Sequence, residues 1–259
     1  MESGGASPIP TLPASRNSTP ASSNLNPNAV PRTKICVFCG SSPGHNPAHV
    51  QTARQLAKVM ADNNIALVYG GGTVGLMGEV AKTLVALSGP DAVHGIIPEA
   101  LVRYERDPEF TSTSASATCP KDSNGDGAVL AVPEERMYGR TTVVRDMHSR
   151  KQMMAQEVLA GGPGSGFVAL SGGYGTMEEL LEIVTWNQLG IHNRGIVVLN
   201  VAGFYDGVLN WIRQSVREGF IRAGNADILV EATTAEDAVQ ALRDYKVPTS
   251  VLKLAWGKE

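Results

Sequence analysis

Two glycine-rich segments of the chain carry backbone N–H groups in a form that can hold a phosphate. They are residues 70–78, with the sequence GGGTVGLMG, and residues 171–176, with the sequence SGGYGT. Each follows an apolar run and precedes a helical pattern, which places it at the carboxyl end of a predicted strand, where open α/β sheets bind ligands. Glycine permits positive φ and close backbone approach, and the following helix adds its positive dipole end. Two such turns favour a phosphorylated ligand, with a tight connection that binds nothing as the alternative for each.

The first segment also matches the dinucleotide-binding pattern G-x-G-x-x-G, but its context does not fit. It follows the second predicted strand rather than the first, and Glu99, the acid near the end of the next strand, lies beyond the usual spacing of about 20 residues and follows Pro98. Neither segment is followed by Lys-Ser or Lys-Thr as a P-loop requires. A dinucleotide enzyme and a nucleoside triphosphatase are therefore not favoured.

Basic side chains precede the second glycine segment. Residues 145–151, RDMHSRK, fall on a predicted helix whose inward face would carry Val143, Met147, Met154 and Val158. Arginine and lysine near such a face are costly without an anionic partner, and a planar guanidinium suits a phosphate or a carboxylate. A solvated helix face with ion pairs is the alternative.

Carboxylates follow the second glycine segment directly. Glu178 and Glu179 fall in the first turn of the next predicted helix, beside the candidate phosphate site. Acids at this position also complement the helix dipole without any further function. The two side chains are about 100° apart around the helix, so they cannot aim equally at one ligand atom.

Composition and charge limit the partners of the chain. It has 259 residues, 42% hydrophobic and 18% charged, with a formal net charge of −3, which gives no electrostatic reason to expect nucleic acid or a membrane. It contains no run of about 20 apolar residues and no apolar secretory signal, so we expect a cytoplasmic protein with a small-molecule ligand. Cys36 and Cys39 fall in the first predicted strand and are expected to be buried thiols rather than a redox or metal pair.

From Lys34 onward, short apolar runs alternate with helical stretches. This pattern predicts an α/β fold, a Rossmann-like doubly wound and mostly parallel sheet of about seven strands flanked by helices. The strands are predicted near residues 35–39, 66–69, 92–97, 129–133, 167–170, 195–199 and 228–231. The helices are predicted at residues 47–63, 75–88, 141–160, 176–189, 206–218 and 234–245.

Two stretches lack these periodic patterns. Residues 1–32 are rich in Pro, Ser and Asn with almost no large apolar side chains, which predicts a disordered tail. Residues 33–259 are predicted to form a single nucleotide-binding α/β domain. Within it, residues 106–127 are small, polar and aperiodic, which indicates an inserted surface loop.

Four segments, GGGTVGLMG, DMHSRKQMM, SGGYGTMEE and TWNQLGIH, resemble the LONELY GUY family of cytokinin riboside 5′-monophosphate phosphoribohydrolases. The resemblance covers Lys34 to Tyr245 and rests on the signature P-G-G-x-G-T-x-x-E together with an Arg-Lys pair on the preceding helix. It implies hydrolysis of an N-glycosidic bond to give free cytokinin base and ribose 5-phosphate, with no cofactor and no metal. It also implies a homodimer or larger homo-oligomer with the site close to the subunit interface.

The resemblance assigns residues by motif, with Arg150 and Glu179 as the catalytic pair. The residues that it implies for binding the nucleotide are Gly71, Glu105, Met147, Lys151, Gly172, Gly173, Gly175, Thr176 and Glu178, and of these Gly172, Gly173, Gly175 and Thr176 would hold the phosphate. The proline that opens the signature is Ser171 here, and the insertion at 106–127 leaves the assignment of Glu105 open.

The chemistry of this pair is open at the level of the sequence. Glu179 would stabilise positive charge that develops on the ribose, hold a ribose hydroxyl or activate water, and Arg150 would orient Glu179 or the substrate and stabilise the departing base. A nucleotide-binding or phosphorylated-cofactor carrier without catalysis, similar in outline to molybdenum-cofactor carriers, is one alternative. A hydrolase acting on ordinary AMP is another.

Overall fold

A computed structural model describes residues 30–102, 111–112, 132–252 and 254 of the protein, the pair 111–112 by its backbone alone. Glu105, the tail up to residue 29 and most of the predicted insertion 106–127 lie outside these residues. Contacts group the residues from Pro31 onward into one compact unit. Within the described part of the chain, no helix combines the length and apolar character that crossing a membrane requires.

Seven strands form a sheet that is parallel throughout, in the order β6-β3-β2-β1-β7-β8-β9. The strands are β1 Lys34–Phe38, β2 Ala66–Tyr69, β3 Val93–Pro98, β4 Thr111–Ser112, β5 Val132–Pro133, β6 Arg140–Val144, β7 Gly166–Ala169, β8 Gly195–Leu199 and β9 Leu229–Ala232. The helices are α1 Pro47–Asp62, α2 Gly75–Ser88, α3 Glu135–Tyr138, α4 Met147–Leu159, α5 Tyr174–Gln188, α6 Asp206–Arg217 and α7 Ala235–Asp244. The predicted doubly wound α/β fold is confirmed.

One predicted strand was wrong. The strand expected at 129–133 is not part of the sheet, since Val132–Pro133 pairs antiparallel with Thr111–Ser112 in a separate two-stranded ladder. The edge position of the sheet belongs to Arg140–Val144, which had been assigned to the start of a helix. The run RTTVV is rich in β-branched residues that favour strands, and its spacing also fits a helix face, so periodicity alone misassigned it.

Helix α4 consequently begins at Met147 rather than at Thr141. The side chain of Asp146 accepts a hydrogen bond from the backbone N–H of Ser149 at 2.8 Å and caps the helix. This start places Arg150, Met154 and Val158 on one face of the helix at intervals of four residues, and all three are buried. The cap therefore decides which side chains of α4 point at the sheet.

The sheet is covered on both faces. Helices α1, α2 and α7 pack on one face around buried side chains such as Leu56 and Leu84, and α4, α5 and α6 pack on the other around Phe167 and Leu180. Each such apolar side chain contributes about 1.5–3 kcal/mol through burial, so both layers are firmly attached to the strands that they follow. The loops at the carboxyl ends of the strands are thereby held in fixed positions.

A polar network fastens the far end of α4 to the amino ends of the strands. Glu157 forms an ion pair with Lys34 at the start of β1, and its other oxygen lies 3.1 Å from Nδ1 of His94 on β3. The Nε2 atom of His94 lies 2.8 Å from the hydroxyl of Thr142 on β6. Strands β1 and β3 thus contact one carboxylate of the helix that carries Arg150, and β6 is linked to it through His94.

Candidate active site

The strand order reverses between β1 and β7, and the loops that leave these two strands face each other. The N–H of Gly40, after β1, donates to the carbonyl of Ser171, after β7, at 3.0 Å. A cavity of about 580 Å³ opens beside this contact. Its walls include the loop 40–46, Gly172, Gly173 and Phe204. Crevices at such reversal points are where doubly wound sheets bind ligands.

The second glycine turn exposes the start of a helix to this crevice. Gly173 is the N-cap of α5 and has no side chain to satisfy the N–H groups of the first turn. A Cβ added to Gly173 or Gly175 would meet no atom of the described residues within 4 Å beyond its immediate chain neighbours, and Tyr174 is 97% exposed. The buried hydroxyl of Thr176 supports the turn from below, 2.0 Å from where a Cβ on Gly172 would lie. The helix N-terminus is therefore accessible to an anion.

The first glycine turn is packed against protein. Gly71 has a φ of +77°, and a Cβ there would lie 2.9 Å from Cβ of Ile97. The N–H groups of Leu76 and Met77, at the start of α2, donate to the carbonyl of Gly40 at 3.0 and 3.4 Å. Gly71 is buried and forms part of a close connection between strand and helix, which is the alternative that the sequence left open for this turn.

Gly70 brings the first turn into the site in another way. A Cβ on Gly70 would lie 1.9 Å from Nη2 of Arg150, so the guanidinium rests directly against the backbone of residue 70. Sequence reasoning gave Gly70 no role of its own. No sequence pattern indicates this contact, because it joins the loop after β2 to a helix that follows the edge strand of the sheet.

Arg150 from α4 and Glu179 from α5 meet at a point that does not line this cavity. Nη2 of Arg150 lies 3.4 Å from Oε1 of Glu179, and the two residues are 6% and 7% exposed. The Nη1 atom of Arg150 also approaches the sulfur of Met147 at 3.8 Å, and its buried Nε has no hydrogen-bond partner among the described residues. A buried guanidinium whose N–H donors lack partners destabilises the folded state unless a ligand or water accepts hydrogen bonds from it.

Cys36 lies beneath this pair on β1 and is fully buried. Burial raises the pKa of the Cys36 thiol well above its usual value, the carboxylate of Glu179 raises it further, and Arg150 opposes the rise. Cys36 and Cys39 are both buried and form no disulfide, in agreement with the expectation of buried thiols. The described residues contain no group of three or more His, Cys, Asp or Glu side chains arranged to hold a metal.

Lys151 and Glu178 form an ion pair beside the catalytic candidates. The ammonium of Lys151 lies 2.5 Å from Oε1 of Glu178 and 3.1 Å from Oε1 of Glu182. Burial acts to lower the pKa of Lys151, but the hydrogen bonds to the two carboxylates outweigh it and leave the pKa raised. Glu178 and Glu179 thus point in different directions, one at Lys151 and the other at Arg150. Glu182, one turn beyond Glu178, was not anticipated.

The structure thus brings most of the expected site residues together. Arg150 contacts both Met147 and Glu179, and Lys151 and Glu178 form the adjacent pair. Gly172, Gly173, Gly175 and Thr176 form the accessible turn at the start of α5, and Gly71 is buried against Ile96 and Ile97 of β3. Glu105 lies outside the described residues.

Comparison with known proteins identifies close sequence relatives. The profile of a family described as "Possible lysine decarboxylase" matches residues 77–242. A bifunctional cytokinin biosynthesis protein of Fusarium pseudograminearum is 53% identical over 208 residues, 80% of this chain, and the chain spans 39% of that protein's length. A probable cytokinin riboside 5′-monophosphate phosphoribohydrolase of Oryza sativa subsp. japonica is 40% identical, over 84% of this chain and 83% of its own length. A cytokinin riboside 5′-monophosphate phosphoribohydrolase of Arabidopsis thaliana is 39% identical, over 86% and 89%.

Solved structures share the fold at low sequence identity. A molybdenum cofactor carrier protein from Chlamydomonas reinhardtii matches with a TM-score of 0.51 and 15% identity, over 82% of this chain and 96% of its own. A molybdenum cofactor binding protein from Rippkaea orientalis matches with a TM-score of 0.51 and 16% identity, over the same shares. At these identities the likeness establishes the architecture alone.

Proposed function

This chain belongs to the LONELY GUY family of cytokinin riboside 5′-monophosphate phosphoribohydrolases, and from that membership we propose that it hydrolyses an N6-modified AMP to free base and ribose 5-phosphate. The observation that carries the proposal is the buried Arg150–Glu179 pair, 3.4 Å apart, beside an uncapped helix N-terminus. The pair supplies charge for the reacting sugar, and the turn supplies N–H groups for the 5′-phosphate.

Glycosidic cleavage needs negative charge near the ribose at the moment of bond breaking. The sugar becomes positively charged in the transition state, so a fixed carboxylate stabilises that state more than the neutral substrate. Glu179 provides such a carboxylate, since α5 and Arg150 hold it in place. Because Glu179 is buried, its effect on developing charge exceeds what the same group would achieve in water.

Arg150 is proposed to orient Glu179 and to donate hydrogen bonds to the substrate. Its Nε is buried and donates to no described residue, so donor capacity remains for a ligand oxygen or nitrogen. A guanidinium keeps its charge at any physiological pH and holds a planar donor geometry. Both properties suit a residue that must position an anion and stabilise a departing base.

The 5′-phosphate is assigned to the turn formed by Gly172, Gly173, Gly175 and Thr176. The open space next to Gly173 and Gly175 allows a phosphate to approach the backbone closely. Binding energy from this remote group would hold the ribose over the catalytic pair. Lys151, Met147 and Glu178 are proposed to line the adjoining nucleotide site, with Gly71 supporting it from behind.

The decarboxylase named in the family description would need a lysine that becomes an uncharged amine to bind pyridoxal phosphate. Lys151 adjoins the glycine turn, but Glu178 and Glu182 hold it as an ammonium and leave its pKa raised. These residues do not fit that cofactor. Hydrolysis without a cofactor remains the proposal.

The experiment is incubation of purified protein with N6-isopentenyladenosine 5′-monophosphate, with AMP and with the unphosphorylated riboside. Products are separated by chromatography with mass detection. We expect free base and ribose 5-phosphate from the prenylated nucleotide, slower release from AMP and little from the riboside. Intact nucleotides in the presence of measurable binding would instead favour the carrier function.

A cytoplasmic location and a homodimer or larger homo-oligomer complete the proposal. Cys36 and Cys39 form no disulfide, which is typical of a reducing compartment. Exposed apolar side chains on α4 and just after α5, including Leu159 and Ile191, offer surface for a second copy. Light scattering of the purified protein tests the assembly, with a monomer at micromolar concentration as the contrary result.

A further inference from the structure

The first turn of α1 reaches the opening residue of the second glycine turn through one side-chain hydrogen bond. Nδ1 of His49 lies 2.9 Å from Oγ of Ser171, which is 122 residues away in the sequence. The bond links the helix that follows β1 to the loop that follows β7, where the strand order reverses. Ser171 is only 6% exposed, and both partners of the bond line the cavity beside the second glycine turn.

The imidazole of His49 is held on its other sides as well. The ring of Phe204 meets it edge to face, with centroids 5.7 Å apart. A Cβ on Gly44 would lie 3.1 Å from Cδ2 of His49, so the loop before α1 closes over the ring. Asn46 caps α1 and fixes the helix start from which His49 projects. The ring therefore has a defined orientation, with Nδ1 aimed at Ser171.

Ser171 depends on this contact because its backbone makes few others. Its carbonyl accepts from Gly40, but its N–H donates to no described residue. The next two residues, Gly172 and Gly173, have the largest conformational freedom of any residue type. The placement of the α5 N-terminus therefore depends on how firmly Ser171 is anchored.

We propose that His49 is a positioning residue for the phosphate turn, acting through the hydroxyl of Ser171. The proposal rests on the proposed function, because it assigns the 5′-phosphate to this turn. It separates two contributions to the reaction. His49 sets the affinity for the phosphate, and Arg150 and Glu179, which are placed by other contacts, set the rate of bond cleavage.

The test compares His49→Phe and Ser171→Ala with the unaltered chain. Phenylalanine keeps a ring against Phe204 and removes Nδ1, and alanine removes the hydroxyl alone. We expect each variant to raise KM for the nucleotide about three- to tenfold, the effect of one lost hydrogen bond, with kcat within about twofold. Competitive inhibition by ribose 5-phosphate should weaken by the same factor. The double variant should be no worse than either single variant, because both remove one bond.

Rescue by proline distinguishes positioning from a general structural role. A proline at residue 171 fixes φ near −65° with its ring and needs neither a hydroxyl nor an N–H. The φ of Ser171 is not positive and its N–H donates to no described residue, so proline at this position removes no described backbone hydrogen bond. We expect His49→Phe combined with Ser171→Pro to recover most of the lost affinity, whereas His49→Phe combined with Ser171→Ala should not.

Unchanged KM and unchanged ribose 5-phosphate inhibition in folded His49→Phe and Ser171→Ala would overturn the proposal. So would a parallel loss of kcat and Tm that proline does not rescue, since that result would make His49 a packing residue. Binding of AMP, measured by calorimetry, is included for every variant. If the unaltered chain bound AMP without hydrolysing nucleotides, the proposed function would fail, and the AMP affinities would still decide the role of His49.

Discussion

Replacing Gly70 with alanine is expected to disable the site while leaving the fold intact. The added Cβ would lie 1.9 Å from Nη2 and 2.9 Å from Cζ of Arg150. Non-bonded carbon atoms pack at about 3.5 Å or more, so the guanidinium must retreat by about 1.5 Å. The φ of Gly70 is not positive, and alanine therefore adopts the same backbone conformation without strain.

The expected loss of activity follows from the size of this retreat. The guanidinium now lies 3.4 Å from the Glu179 carboxylate, and a shift of about 1.5 Å changes that geometry substantially. Misplacement by about 1 Å can cost about 100-fold in rate, which corresponds to about 2.7 kcal/mol in the activation barrier. The clashing group is the end of a flexible side chain, so we expect overpacking to lower the free energy of unfolding by only about 1 kcal/mol, or about 2–4 °C in Tm.

The assay measures kcat/KM for the prenylated nucleotide and Tm for Gly70→Ala. Gly207→Ala serves as the matched control, because a Cβ there meets no protein atom within 4 Å. We expect the control to behave like the unaltered chain in both measurements. If folded Gly70→Ala keeps kcat/KM within about threefold, the contact between Gly70 and Arg150 does not set the geometry of the site, and the reasoning fails.

Three further predictions concern the carboxylates and the phosphate turn. Glu179→Gln keeps the size of the side chain and should lower kcat by about 10²- to 10⁴-fold, so near-normal turnover of the folded variant in a single-turnover assay would remove the carboxylate from the mechanism. Gly173→Ala adds a methyl group that meets no atom of the described residues, so Tm should be unchanged. The KM for the nucleotide should rise about tenfold or more, because the methyl group occupies the space assigned to the phosphate. An unchanged KM would place the phosphate elsewhere. Burial acts to raise the pKa of Glu157, but the ion pair with Lys34 outweighs burial and leaves the pKa lowered. The pair therefore stabilises the fold at pH values above 4.5, the ordinary pKa of a glutamate. This stabilisation is lost as the pH falls through the lowered pKa of the folded state. Glu157→Gln should therefore lower Tm at pH 7 and converge with the unaltered chain as the pH falls below about 4, and an equal Tm difference at both ends of a thermal-unfolding series would contradict this assignment.

The sequence predicted the strands well where turn residues bound each apolar run. Six of the seven sheet strands were located, because apolar runs such as Gly195–Leu199 are bounded by turns. The seventh was misplaced because Arg140–Val144 fits both a strand and a helix face. Asp146 and Ser149, three residues apart, were a readable capping signal that would have started α4 later. Local capping chemistry was thus more informative here than periodicity.

The site was predictable as a set of residues and much less so as a geometry. Proximity of Arg150 and Glu179 followed from the family motif, and the structure adds that the pair is buried and 3.4 Å apart. The contact of Gly70 with Arg150 and the bond from His49 to Ser171 join residues 80 or more positions apart. No local sequence pattern predicts such contacts, because the order of the strands in the sheet, rather than the spacing of the residues, brings these segments together.

The two glycine turns look alike in sequence, but they differ in the atoms that surround the position where a Cβ would lie. In the first turn, Gly70 and Gly71 lack a Cβ because protein atoms occupy that space, namely Arg150 and Ile97. In the second turn, a Cβ on Gly173 would meet no atom of the described residues within 4 Å beyond its chain neighbours, so no described contact explains why a side chain is missing there. A ligand in that space would explain it, since a phosphate must approach the backbone as closely as Arg150 approaches Gly70. In the proposed mechanism, the first turn therefore places the guanidinium of Arg150, and the second is left open for the phosphate of the substrate.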